Sequence, residues 1–291
     1  RKSYQNVEAL KGISFQVDYG EIFALLGPNG AGKTTTLEIL EGHRKRTYGK
    51  LQVLGFDPAK NEIAFKKRIG IVLQKSGIDP YLTVGEVLNL FRGYYPNPLD
   101  TNYILDVTGL AKSKDTKIRR LSGGQQRRLD VAVGLAGNPD LLFLDEPTTG
   151  FDPSSRRNSW DMINNLRSAG KTILLTTHYM DEAEYLADRV AIMIDGRIVT
   201  SGSPKQLIGS GNVTFIEYRI EKQDIILSKY IIEVQKGPDG MFFIETNTPE
   251  KTLYELTKWA LDKNVRLENI KVSRPTLEDI YLRYVNAVTG Q

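Results

Sequence analysis

The chain has 291 residues, 40% of them hydrophobic, a formal charge of +4 and no cysteine. That suffices for one large domain plus a smaller one, and it excludes a disulfide framework and a Cys-ligated metal; the two histidines lie too far apart in sequence to suggest a zinc site. The mild positive charge permits contact with anionic headgroups or nucleic acid but demands neither, and no apolar run approaches the roughly 20 residues that cross a bilayer, so a soluble chain without signal peptide is expected.

Short apolar runs at 13–17, 22–26, 69–73, 141–144, 172–176 and 191–194 read as strands. Most are continuous rather than alternating, as in a parallel sheet covered by helices on both faces. The second runs directly into a glycine-rich loop, and a helix is predicted from Lys33 to about Glu41. Residues from about 76 to 137 carry no strand signal and read as a helical subdomain inserted between the third and fourth strands.

Composition changes at Leu207-Ile208-Gly209-Ser210-Gly211-Asn212, a small and flexible stretch fit for a linker. Beyond it, 213–220 alternates like a half-buried strand. Gly237-Pro238-Asp239-Gly240 signals a tight turn joining 231–235 to 241–245. Residues 249–263 read as a helix capped by Thr248, with Leu253, Leu256, Trp259 and Ala260 on its apolar face. A strand near 267–272 and a helix from Pro275 complete a small α+β unit. The predicted division is 1–211 and 212–291.

Gly27-Pro28-Asn29-Gly30-Ala31-Gly32-Lys33-Thr34, followed by Thr35, fits G-x-x-x-x-G-K-[ST] between a predicted strand and a predicted helix. Such a loop wraps its backbone amides around a β-phosphate. Lys33 neutralises the β- and γ-phosphates, and Thr34 offers a hydroxyl to Mg²⁺. The strand 141–144 ends in Asp145 and Glu146. An acid at that edge, beside a phosphate loop, suits Asp145 to holding Mg²⁺, and Glu146 points differently, toward orienting or deprotonating a water. A second helix start follows Leu121: Ser122 is a good N-cap, and Gly123 and Gly124 leave the first amides bare ahead of Gln125. One triphosphate seldom needs two such anion-binding helix starts from one chain.

With Leu121-Ser122-Gly123-Gly124-Gln125 unsubstituted, the chain from Tyr4 to about 207 resembles the nucleotide-binding subunit of an ATP-binding cassette (ABC) transporter. The resemblance implies an α/β P-loop NTPase cassette with a mostly parallel core sheet, an antiparallel edge subdomain carrying Tyr4 and an inserted helical subdomain, followed by the small α+β domain. It implies that Tyr4 stacks on adenine, that Gln74 contacts Mg²⁺ and the attacking water, and that His178 holds the γ-phosphate and Glu146 in working geometry. Thr149-Gly150-Phe151-Asp152 resembles the family's D-loop, with phenylalanine where leucine is usual. The implied cofactors are ATP and Mg²⁺. The implied assembly is a head-to-tail dimer in which Lys33, Thr34, Gln74 and Asp145 of one subunit and Ser122, Gly123, Gly124 and Gln125 of the other enclose each nucleotide, beneath a transmembrane permease at the cytoplasmic face.

Thr148-Thr149-Gly150, the run Thr177-His178-Tyr179-Met180-Asp181-Glu182-Ala183 and Arg274-Pro275-Thr276-Leu277-Glu278-Asp279-Ile280-Tyr281-Leu282 are similar to the bacterial drug-resistance exporter branch, in which a small C-terminal domain follows the cassette. That favours export of a small molecule, drug or lipid-like substrate over two alternatives, an importer ATPase and a non-transport ABC ATPase acting on DNA or the ribosome. The C-terminal unit reads equally as a dimer brace or a regulator. His43, Arg44, Lys45 and Arg46 read as a solvated face, and no nucleic-acid partner is expected. The strand that family members place just before Tyr4 is missing and the chain begins at Arg1, so a trimmed or excised cassette with an unpaired sheet edge is expected.

Overall fold

The computed structural model describes residues 1–5, 7–72, 77–209, 213–220, 234–236 and 241–289. The chain divides into two units, Arg1–Pro204 and Lys205–Gln291. The sequence readings at Gln74, at Ser210-Gly211-Asn212, at 231–233 and at Gly237-Pro238-Asp239-Gly240 fall outside the described residues.

The first unit opens with an antiparallel pair, β1 (Lys2–Tyr4) and β2 (Val7–Leu10). It continues with β3 (Ile22–Leu26), α1 (Lys33–Leu40), α2 (Ile63–Lys66), β4 (Ile69–Val72), α3 (Val84–Arg92), α4 (Thr101–Val107) and α5 (Gly123–Leu135). Then come β5 (Leu141–Asp145), α6 (Pro153–Ser168), β6 (Thr172–Thr177), α7 (Met180–Leu186), β7 (Arg189–Ile194), β8 (Arg197–Gly202) and α8 (Pro204–Ile208), the last straddling the boundary. Six strands form one sheet in the order β4-β5-β6-β3-β7-β8. All neighbours are parallel except β8, which returns antiparallel from β7. Asp195 and Gly196, with φ of 47° and 72°, make that return, as a two-residue hairpin turn requires.

All five residues of β3 are buried, which explains their unbroken apolar run: helices cover both faces of a parallel sheet. Because β3, β5 and β6 are parallel, their C-terminal ends share one edge. The loops that follow, beginning at Gly27, Glu146 and His178, therefore meet there.

Residues 13–17 do not form the predicted strand. Ile13, Phe15 and Val17 still pack against the core in alternation. They also line a cavity of about 600 Å³ together with residues 48–55, and alternation without a ladder partner makes no sheet. The helical segment has its own core, with Val87 and Leu88 of α3, Ile104 and Leu105 of α4, and Leu129 and Ala132 of α5.

The second unit contains β9 (Thr214–Ile220), β10 (Val234–Lys236), β11 (Met241–Thr246), α9 (Pro249–Asp262), β12 (Leu267–Ser273) and α10 (Leu277–Thr289). Its antiparallel sheet runs β10-β11-β9-β12. Leu256, Trp259 and Ala260 of α9 pack with Ile216, Tyr218 and Ile244. Thr248 precedes α9 but, with φ of −130° and ψ of 68°, does not cap it through its side chain. The last helix starts two residues after Pro275, where Thr276 and Asp279 exchange capping hydrogen bonds.

Candidate active site

The loop between β3 and α1 turns tightly because Gly27 and Gly32 have no side chain. A Cβ on Gly27 would lie 2.3 Å from the Met193 carbonyl oxygen. At Gly32, where φ is 100°, it would lie 2.7 Å from Leu10 Cδ2. Pro28, Asn29 and Gly30 form the exposed crest, Ala31 is buried, and Gly30 has φ of 83°. Ala31 donates its amide to Pro28 O at 3.2 Å, and Gly27 donates to Thr177 O at 3.2 Å. The loop is thus pinned to the end of β6.

Lys33 folds back into this loop. Its Nζ donates to Gly27 O at 2.8 Å and to Pro28 O at 3.1 Å, and lies 3.5 Å from Glu146 Oε1. Burial pushes the ammonium below its ordinary value, against the opposing pull of Glu146 and Asp145. Thr34 is exposed on α1 beside half-buried Thr35, and its Oγ1 lies 3.4 Å from Asp145 Oδ2. The other Asp145 oxygen accepts from Thr176 Oγ1.

Glu146 has φ of 46°, a left-handed conformation that costs a β-carbon residue about 1–2 kcal/mol. Its amide is held by Thr176, donating to the carbonyl oxygen and to Oγ1, each at 3.1 Å. Its carboxylate accepts from Thr149 Oγ1 at 3.1 Å and lies 3.2 Å from His178 Nδ1. The histidine nitrogen has no aligned hydrogen-bond partner. Burial raises the Glu146 carboxyl, but His178, Lys33 and Thr149 outweigh it and hold the group below its ordinary value.

One cluster therefore joins Lys33, Thr34, Asp145, Glu146, Thr149, Thr176 and His178. Residues 122–125 are not part of it: among the described residues, no hydrogen bond or ion pair links them to 27–34. Ser122 caps α5 in a reciprocal box with Gln125. Ser122 Oγ accepts from Gln125 N at 3.3 Å, and Gln125 Oε1 accepts from Ser122 N at 2.9 Å. A Cβ on Gly123 would meet nothing within 4 Å, whereas one on Gly124 would lie 3.5 Å from Ser155 Oγ.

The family model described as "ABC transporter" matches residues 10–149. A "Nod factor export ATP-binding protein I" from Rhizobium sp. (strain N33) is 36% identical over 97% of this chain and 94% of its own length. One of the same name from Ralstonia nicotianae is 43% identical over 72% of this chain and 66% of its own length. The chain belongs to the ABC transporter family. Among solved structures, a dimeric bacterial ABC transporter cassette superposes with a TM-score of 0.62 at 26% identity, over 70% of this chain and 96% of that one. The same cassette fold is present here, and with it ATP binding and hydrolysis.

In this ABC cassette the Tyr4 ring is shared with two cations, Lys2 Nζ at 4.7 Å and the Arg44 guanidinium at 5.3 Å from its centroid. The basic turn beside it is engaged by acids of the same chain: Glu38 pairs with Arg44, Asp57 with Arg46, and Glu41 with His43. Asp152 of the D-loop caps α6, and hydrogen bonds from Ser154 and Ser155 hold its carboxyl far below the ordinary value.

Sequence reasoning missed three residues around Glu146. Thr176 was read only as strand. Glu182, fully buried, accepts from Thr148 Oγ1 at 2.6 Å and Trp160 Nε1 at 3.1 Å. Arg127, also buried, donates to the carbonyls of Asp145 and Pro147. A signal for Arg127 existed: it shares an i, i+4, i+8 stripe with buried Val131 and Leu135, a register that normally carries apolar side chains.

Proposed function

We propose that two copies of this chain bind ATP head to tail, and that hydrolysis drives export of a small molecule, drug or lipid-like substrate through a separate transmembrane permease at the cytoplasmic face. One observation carries the reading: the phosphate loop and Glu146 form one cluster, while the exposed start of α5 at Ser122 and Gly123 lies outside it, available to a second nucleotide. The relatives named for Nod factor export favour export over import.

Within the site, Lys33 leaves its carbonyls and Glu146 to meet the β- and γ-phosphates, which frees the carboxylate. Glu146 then accepts the proton of the attacking water or orients it, and His178 steadies that carboxylate and the γ-phosphate. Mg²⁺, when bound, offsets phosphate charge. Thr34 and Asp145 would hold it, which fits a hard cation that takes few protein oxygens and completes its shell from phosphate and water. Among the described residues no cluster of three or more His, Cys, Asp or Glu offers an all-protein cage, consistent with that mode. Gln74 is the further proposed ligand. Loss of γ-phosphate charge shared by both helix starts opens the dimer.

The test is gel filtration with ATP in the hydrolysis-deficient Glu146→Gln background. A dimer should appear, and adding Ser122→Arg should abolish it while each monomer still binds nucleotide. A dimer that survives Ser122→Arg overturns the shared site.

A further inference from the structure

Arg127 lies five residues beyond Ser122 on α5, roughly 7.5 Å down the helix axis from the amides that cap a nucleotide in the shared-site reading. Its side chain turns inward. Nε donates to Pro147 O at 3.2 Å, and one terminal nitrogen donates to Asp145 O at 2.8 Å. The other lies 3.6 Å from Asp130 Oδ2. The two carbonyls belong to the residues on either side of Glu146, the residue whose φ is 46°.

A left-handed glutamate persists only where its surroundings determine both flanking peptides. Here the planar guanidinium fork does so, because its donors sit at fixed spacing and reach both carbonyls together. On the far side of the same turn, Glu182 accepts from Thr148 Oγ1 and fixes the next residue. Arg127 thus ties α5 to the backbone that carries the Glu146 carboxylate.

We propose that Arg127 is a positioning residue linking the two nucleotide sites through one chain: the helix start that engages the partner's ATP sets, through Arg127, the conformation of Glu146 in the chain's own site. This rests on the head-to-tail reading above. Closure on one ATP would complete the geometry for hydrolysis of the other, giving positive cooperativity within the dimer.

The full chain is assayed as wild type, Arg127→Met, which keeps the stem and loses every donor, and Arg127→Lys, which keeps the charge without the fork. The readings are kcat, KM and Hill coefficient for ATP, with circular dichroism to confirm folding. Arg127→Met should lower kcat about 10- to 100-fold, the scale of a misplaced catalytic group, with KM within about threefold. The Hill coefficient should fall from above one to one. Arg127→Lys should recover part of kcat but not the cooperativity. Combined with Ser122→Ala, the change at Arg127 should be non-additive.

Wild-type kcat and Hill coefficient in folded Arg127→Lys overturn the proposal, as do effects strictly additive with Ser122→Ala. If Arg127→Met does not fold, Arg127→Lys alone decides by the same readings. The two readings fail separately: absence of an ATP-dependent dimer in Glu146→Gln sinks the shared site. A normal dimer with unaltered cooperativity in the Arg127 variants sinks only this link.

Discussion

The Lys33 ammonium and the Glu146 carboxylate face each other at 3.5 Å, with side chains 5% and 14% exposed. In the proposed mechanism these are the group that neutralises phosphate and the group that handles water, and here they pair with one another. If Lys33 turns to the phosphates as proposed, it leaves this pair, which would couple nucleotide binding to release of the Glu146 carboxylate. Breaking it by removing one partner would leave a buried charge uncompensated.

Glu146→Gln keeps the shape and removes the proposed base. Turnover should fall by roughly 10² to 10⁴, with ATP affinity changed little. Phosphate release and equilibrium nucleotide binding, measured on the same preparation, check both halves. Near-normal turnover would remove Glu146 from its role.

Gly27→Ala should fold poorly and lose nucleotide binding, because the new methyl meets the Met193 carbonyl at 2.3 Å and that backbone belongs to the central sheet. A cost of about 1–3 kcal/mol is expected, read as a lower urea midpoint. Gly30→Ala meets no atom within 4 Å and carries only the cost of its φ of 83°, so it should cost less.

Glu41 supplies a pH dependence. Burial first, then Asp145 and Glu38, push its carboxyl up from 4.5 to about 7. The fold thus prefers the protonated form. The associated stability is present in full below pH 4.5 and is lost as pH rises through about 7, a span worth about 3 kcal/mol at most. Glu41→Gln should therefore be more stable than wild type at pH 8 and lose that advantage at pH 5. Urea unfolding at the two pH values checks the sign, and a constant difference would refute it.

Glu182→Ala should destabilise by about 2–4 kcal/mol, since Thr148 Oγ1 and Trp160 Nε1 both lose a buried acceptor. Burial raises the Glu182 carboxyl, so a neutral amide suits the site better than a methyl. Glu182→Gln should cost less than half as much in the same urea measurement.

Local signals in the sequence were sufficient for much of this. Ile22–Leu26, the loop at 27–34 and the Ser122 cap appear where the sequence predicts them, because strand burial, glycine geometry and helix capping act within a few residues. The reading failed at 13–17 because a strand exists only with a neighbour to bond, and alternation says nothing about whether one is within reach. It failed at Thr248 because a cap depends on backbone geometry as well as residue type, and at φ −130° and ψ 68° the Thr248 side chain accepts no helix amide.

By itself, then, the sequence determined the family, the phosphate loop and the presence of a second bare helix start. Only the tertiary structure decided which groups hold Glu146: Thr176 from β6, Arg127 from α5 and, through Thr148, Glu182 from α7. These partners are 18 to 34 residues from the groups they hold, brought together by parallel strands that end at one edge. Hydrogen bonds at that separation are set by how layers pack, and no spacing along the chain encodes them.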